Sequence, residues 1–129
     1  MTPFVVLDPN MLTRAAGADP RVLAYLEAAQ RHGGAAFVPT ICLVESLTGR
    51  PTDAPLHRLL RRLRAVSLDV DLARVAASLR ARVRGDDPAD AVVVATAAML
   101  GATVLSGDPD LVRLAGAAQP PVTVVAATT

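Results

Sequence analysis

The sequence predicts an α/β fold with a mostly parallel central sheet flanked by helices. Three observations lead there. Continuous apolar runs such as Phe4-Val5-Val6-Leu7 read as strands buried on both faces. A helical pattern follows most of these runs, so strand and helix alternate along the chain. Four Asp-Pro pairs, at residues 8, 19, 87 and 108, each supply a helix start, with Asp as the cap and Pro as the first helical residue.

Taken in order, Phe4 to Leu7 is the first strand, and Asp8-Pro9 opens a short helix that Gly17 stops. Asp19-Pro20 opens a second helix with Val22, Leu23, Leu26 and Ala29 on one face, ending at His32-Gly33-Gly34. Ala35 to Val38 is a second strand. Pro39-Thr40 begins an apolar helix to about Thr48, and Thr52 or Asp53 caps the next one, with Leu56, Leu59, Leu60 and Leu63 inward. Ala65 to Leu68 is a short strand. Asp71 begins a helix with Leu72, Val75, Leu79 and Val83 inward, closed by Gly85. Asp87-Pro88 starts a helix through Leu100, capped by Gly101. Thr103 to Ser106 is a strand, Asp108-Pro109 starts a helix ending near Gly116, and Val122 to Val125 is the last strand. No repeat or linker interrupts the 129 residues, so residues 1–129 read as a single domain.

Composition removes several function classes. All 13 basic residues are Arg and none is Lys, which excludes the usual P-loop NTPase and any Lys Schiff base. The same lack disfavours receiver-like signalling domains. Apolar residues make up 52% of the chain, so disorder is excluded. Cys42 sits in Ile41-Cys42-Leu43-Val44 with no base close in sequence, and reads as a buried reduced thiol. Asp8 interrupts the apolar start, so it does not read as a signal peptide. The uncharged stretch from Ala91 to Gly107 is short for a membrane span and is broken at Gly101. A cytoplasmic protein without a membrane partner is the expectation.

Chemistry concentrates on carboxylates. Asp8 and Asp108 follow strands directly, at the sheet edge where open α/β folds bind ligands. Asp19 and Asp87 follow loops and read as caps alone. Glu45 is one of only two Glu residues, and it lies inside the otherwise apolar Ile41–Leu47 helix. Asp90 heads the apolar helix Ala91–Leu100. Four carboxylates brought together from four segments repel one another unless a divalent cation compensates, and an oxygen-only set favours Mg²⁺ or Mn²⁺. Phosphodiester hydrolysis is the chemistry such a site suits. Without those four acids, a chain of formal charge +1 carries +5.

The ordered set Asp8-x-Asn10, Pro39-Thr40 with Glu45, Asp90-Ala91 with Ala95-Thr96-Ala97, and Gly101 to Leu111 resembles the PIN domain, and within it the small VapC-type toxins of bacterial toxin–antitoxin pairs. The resemblance covers essentially the whole chain. It implies a PIN-like three-layer fold and a Mg²⁺- or Mn²⁺-dependent endoribonuclease. Asp8, Glu45, Asp90 and Asp108 are its implied acidic quartet, with Asp8, Asp90 and Asp108 as metal ligands. Asn10, Ser106 and Asp110 are the implied supporting residues. It further implies an RNA substrate, a homodimer and a cognate antitoxin protein that keeps the enzyme inactive.

Arg58, Arg61, Arg62 and Arg64 form one basic group, and Arg74, Arg80, Arg82 and Arg84 another. Each group reads as a solvated helix face or as a holder of RNA phosphates beside the metal site, with Arg58, Arg61, Arg62, Arg80 and Arg84 the candidates. The competing reading is a catalytically inactive PIN-like module that binds RNA or protein.

Overall fold

The structure, a computed structural model, describes residues 3–83 and 87–126. Its centre is a five-stranded sheet of β1 (Phe4–Leu7), β2 (Ala35–Pro39), β3 (Arg64–Val66), β4 (Thr103–Leu105) and β5 (Val124–Val125). The strand order is β3-β2-β1-β4-β5 and every pairing is parallel. Parallel strands need crossovers, and α1 (Pro9–Ala16), α2 (Pro20–Arg31), α3 (Thr40–Ser46), α4 (Ala54–Leu60), α5 (Val70–Val83), α6 (Pro88–Leu100) and α7 (Pro109–Ala117) provide them and flank the sheet. α1 packs against α2, α3 and α4; α5, α6 and α7 pack on one another, and α6 lies across β1, β2 and β4.

The apolar runs account for the core. Val5, Val6, Leu7, Val104 and Leu105 are buried from both sides of the sheet. Every residue of α6 from Ala89 to Ala97 is buried, which explains why its sequence shows no polar face. Thr96 tolerates this because its hydroxyl donates to the Val92 carbonyl at 2.7 Å. Gly101 ends α6 in the left-handed conformation, φ 64°, with its N–H on the Ala97 carbonyl. Gly34 serves a different need: a Cβ there would meet the Pro3 carbonyl oxygen at 1.8 Å, where the entries to β1 and β2 run side by side. Among the described residues no helix is long and apolar enough to cross a membrane.

Chain order explains where a site can form. From β1 the chain moves outward to β2 and β3, then returns to place β4 on the other side of β1. The direction of winding therefore switches between β1 and β4, and a crevice opens beyond their C-terminal ends. Leu7 and Leu105 are register partners there, so the residues that follow each strand emerge together.

Several local expectations change. Asp69 accepts the Leu72 N–H at 2.8 Å, so α5 starts at Val70 rather than at Asp71. Ala76, not Val75, completes its inward face; Val75 is 40% exposed. The third strand is Arg64–Val66 and the last is only Val124–Val125, because each ends where its neighbour stops pairing. Gly116 lies inside α7, and α3 stops at Ser46. Asp53 does not cap α4 with its side chain. Its buried carboxylate accepts the Thr48 N–H and hydroxyl and the Gly49 N–H, at 2.8 to 3.1 Å, and so ties down the turn after α3. The expected stop at Gly85 lies outside the described residues.

Candidate metal and active site

Asp8 has both carboxylate oxygens hydrogen-bonded within the protein. It leaves β1 and caps α1, its Oδ1 accepting the Met11 N–H at 2.8 Å. Its Oδ2 accepts the Ser106 hydroxyl at 2.5 Å, and the residue is only 3% exposed. Burial pushes its carboxyl above the usual carboxylate range, the hydrogen bonds from Ser106 and Met11 oppose this, and the Asp108 charge adds to it.

Ser106 connects two of the acids. While its hydroxyl donates to Asp8, its oxygen accepts the Asp108 N–H at 3.0 Å. Asp108 in turn caps α7, with Oδ1 on the Asp110 N–H at 2.9 Å. Asp90, in the first turn of α6, is 8% exposed. Burial raises its carboxyl to about 7, aided by the charges of Asp87 and Asp108 and by an Asp108 carboxylate within hydrogen-bonding reach. Glu45, near the end of α3, is exposed at the rim. Partial loss of water around its carboxyl raises it, followed by the charges of Asp87 and Asp8.

These residues line one open cleft of about 320 Å³, formed by Asp8, Pro9, Asn10, Glu45, Asp87, Asp90, Gly107 and Asp108. The four acids singled out from sequence, and Asn10, thus come to one place. Ser106 lies beneath it, and Asp110 is drawn aside, paired with Arg113 at 2.7 Å and outside the lining. Among the described residues no Arg forms an ion pair with any of the five lining acids.

Sequence reasoning missed Asp87. It was read as a cap, and it is one, with Oδ1 on the Ala89 N–H at 2.8 Å. It also stands in the cleft. The available signal was its spacing of three from Asp90, which puts both on one face of the first helical turn.

Cys42 is buried beneath the acids, and its thiol is pushed up to about 12 by burial and then by the charges of Glu45, Asp8 and Asp90. This fits the inert role expected of it.

The Arg groups separate. Arg61 and Arg62 precede β3, so they lie at the N-terminal end of the sheet, opposite the cleft, and Arg58 stands in the last turn of α4 leading there. Arg80 is on α5, which packs along α6, the helix that carries Asp90. Arg84 lies outside the described residues.

The donor set is all oxygen, which suits Mg²⁺ or Mn²⁺ and not zinc. Among the described residues no three His, Cys, Asp or Glu side chains are drawn tightly enough to cage an ion as they stand. The open, acid-lined cleft leaves room for a cation that keeps part of its water shell. The residues fit a partly hydrated cation.

The fold and this acidic cleft place the chain in a known class. Residues 5–117 match the PIN domain family model, and the chain belongs to that family. Solved structures similar to it include VapBC2 from Rickettsia felis bound to a DNA fragment from their promoter, at 16% identity and TM-score 0.76 over 95% of this chain and 97% of that one. A toxin–antitoxin complex from Klebsiella pneumoniae has 18% identity and TM-score 0.66, with the same coverage. FitAcB from Neisseria gonorrhoeae has 20% identity and TM-score 0.66, again over 95% and 97%. No curated protein matches the chain.

Proposed function

We propose that this protein is a divalent-cation-dependent endoribonuclease, the toxin of a VapBC-type toxin–antitoxin pair. The observation that carries the reading is the convergence of Asp8, Glu45, Asp90 and Asp108, from four separate segments, on one cleft, with no Arg paired to them among the described residues. Like charges gathered this way are costly unless a cation neutralises them. Solved neighbours described as VapBC, FitAcB and a toxin–antitoxin complex support an antitoxin partner.

In this mechanism Asp8, Asp90 and Asp108 would hold the cation, directly or through its bound waters. A bound Mg²⁺ or Mn²⁺ supplies charge at the scissile phosphate and a more acidic water. Asp8 is oriented by Ser106 and Met11, so its position does not depend on the substrate. Glu45, exposed on the cleft lining and outside the proposed ligand set, would accept the proton of the attacking water. Asn10 on the cleft wall is a donor for a phosphate oxygen. RNA is held through its backbone, with Arg80 and Arg84 the nearer candidates along the chain; a homodimer acting in the cytoplasm completes the proposal for a single domain spanning 1–129.

The loose arrangement of the carboxylates favours one rival, an inactive PIN-like module that binds RNA or protein. Induced expression separates the two. The wild type should arrest growth and yield discrete RNA fragments, while Asp8→Asn does neither. Arrest with intact RNA, or equal arrest by Asp8→Asn, would favour the module.

A further inference from the structure

The Asp-Pro pairs permit an internal comparison. Asp19 caps α2 with Oδ1 on the Arg21 N–H at 3.0 Å, and its Oδ2 is neutralised by Arg14 at 3.3 Å. Asp87 caps α6 in the same way, with Oδ1 on the Ala89 N–H. Its second oxygen has no such partner: among the described residues Asp87 forms no ion pair, and it lines the cleft with Asp8, Glu45, Asp90 and Asp108. A cap needs one oxygen only, and any residue of Asn or Ser type supplies it. A full negative charge set among four others is unfavourable for the folded chain unless a cation answers it.

We infer that Asp87 is a fifth carboxylate of the cation site, capping α6 with Oδ1 and offering Oδ2 to the divalent ion or to its water shell. This rests on the nuclease reading of the same cleft. The geometry of the cleft supports it. Asp87 shares the cleft lining with Asp90 on α6 and Glu45 on α3. Its cap also ties the α6 N-terminus, and so Asp90, to the oxygen that would meet the ion. Cation binding and the start of α6 are thereby coupled through one side chain.

The test is a titration of the full-length protein with Mg²⁺ or Mn²⁺, after removal of metal with EDTA, read by thermal unfolding and not by activity. Wild type, Asp87→Asn and Asp87→Ser are compared, since both substitutes retain the cap and one serves if the other fails to fold. The expected result is a melting temperature that rises with metal in the wild type. In the variants the metal-free melting temperature should be equal or higher, and half of the shift should need roughly 10-fold more metal, the usual lower bound for losing a supporting ligand. A wild-type shift with the same midpoint in both variants overturns the role of Asp87 and leaves the site reading intact. No metal-dependent shift in the wild type overturns both.

Discussion

The Ser106 hydroxyl donates to Asp8 Oδ2 at 2.5 Å, joining the ends of β4 and β1 across 98 positions of sequence. The same oxygen receives the Asp108 N–H. One small side chain therefore sets the first and fourth acids relative to each other. Ser106→Ala removes both bonds and leaves a buried carboxylate oxygen without a donor. The expected cost is about 1–3 kcal/mol of stability, read by urea unfolding. Cleavage should fall roughly 10- to 100-fold, as for other supports of metal ligands. Wild-type stability and rate in Ser106→Ala would show that the bond does not matter.

Asp90 gives the site an unusual pH dependence. Its folded-state pKa, about 7, lies well above the ordinary range of an Asp carboxyl. The folded protein thus binds this proton more tightly than the unfolded chain does. Its ionisation destabilises the fold increasingly as pH rises from about 4 to 7, and the penalty is full above that. The metal-free protein should melt higher at pH 5.5 than at pH 7.5. Asp90→Asn should raise the metal-free melting temperature at pH 7.5 by roughly 3–6 °C while abolishing metal-induced stabilisation. Identical pH profiles for the two proteins would contradict this account of the cleft.

Asp53 behaves in the opposite sense. Hydrogen bonds from the Thr48 hydroxyl, and then from the Thr48 and Gly49 amides, hold its carboxyl below the usual range despite some opposing burial. Its contribution is therefore present above the ordinary carboxylate pKa and is lost as pH falls through the lower, folded value. Asp53→Ala should lower the melting temperature at pH 7, and the difference should shrink below pH 4. A difference that is constant from pH 7 to pH 3 would assign the effect to packing and not to the carboxylate.

Cys42 should resist thiol reagents in the native protein. Labelling with an aromatic disulfide at pH 8 is expected only at the rate of unfolding, since the thiol is buried and its pKa is pushed up to about 12. Fast native labelling would mean that α3 opens readily from the core.

Much of this was legible in the sequence because its punctuation is unusually regular. The Asp-Pro pairs marked the starts of α1, α2, α6 and α7, and the unbroken apolar runs marked β1, β2 and β4 as buried strands. Asp8 and Asp108 were legible because they directly follow buried strands, and Glu45 and Asp90 because each stands in or at the head of an otherwise apolar helix. What was hidden depends on tertiary contacts. Val75 and Ala76 compete for one inward position, and close packing of α5 on α6 selects the smaller residue. Asp53 resembles a cap, yet its partners lie behind it in Thr48 and Gly49. Asp87 is a good cap, and that sufficient explanation concealed its place in the cleft. Composition cannot say that Arg61 and Arg62 precede an edge strand, at the other end of the sheet from the acids.

The most direct test of the central claim is RNA cleavage by the purified protein in Mg²⁺ or Mn²⁺, with and without excess EDTA, beside Asp8→Asn. Asn at this position keeps one acceptor oxygen for the α1 cap, while its amide replaces the oxygen that accepts from Ser106 and can only donate to that hydroxyl, so the charge and one acceptor are removed. The account predicts discrete fragments from the wild type with metal, none in EDTA, and a loss of at least about 100-fold in Asp8→Asn, on the order expected for removing a group that binds the reacting phosphate's cation. Undiminished cleavage in EDTA, or by Asp8→Asn, would contradict it.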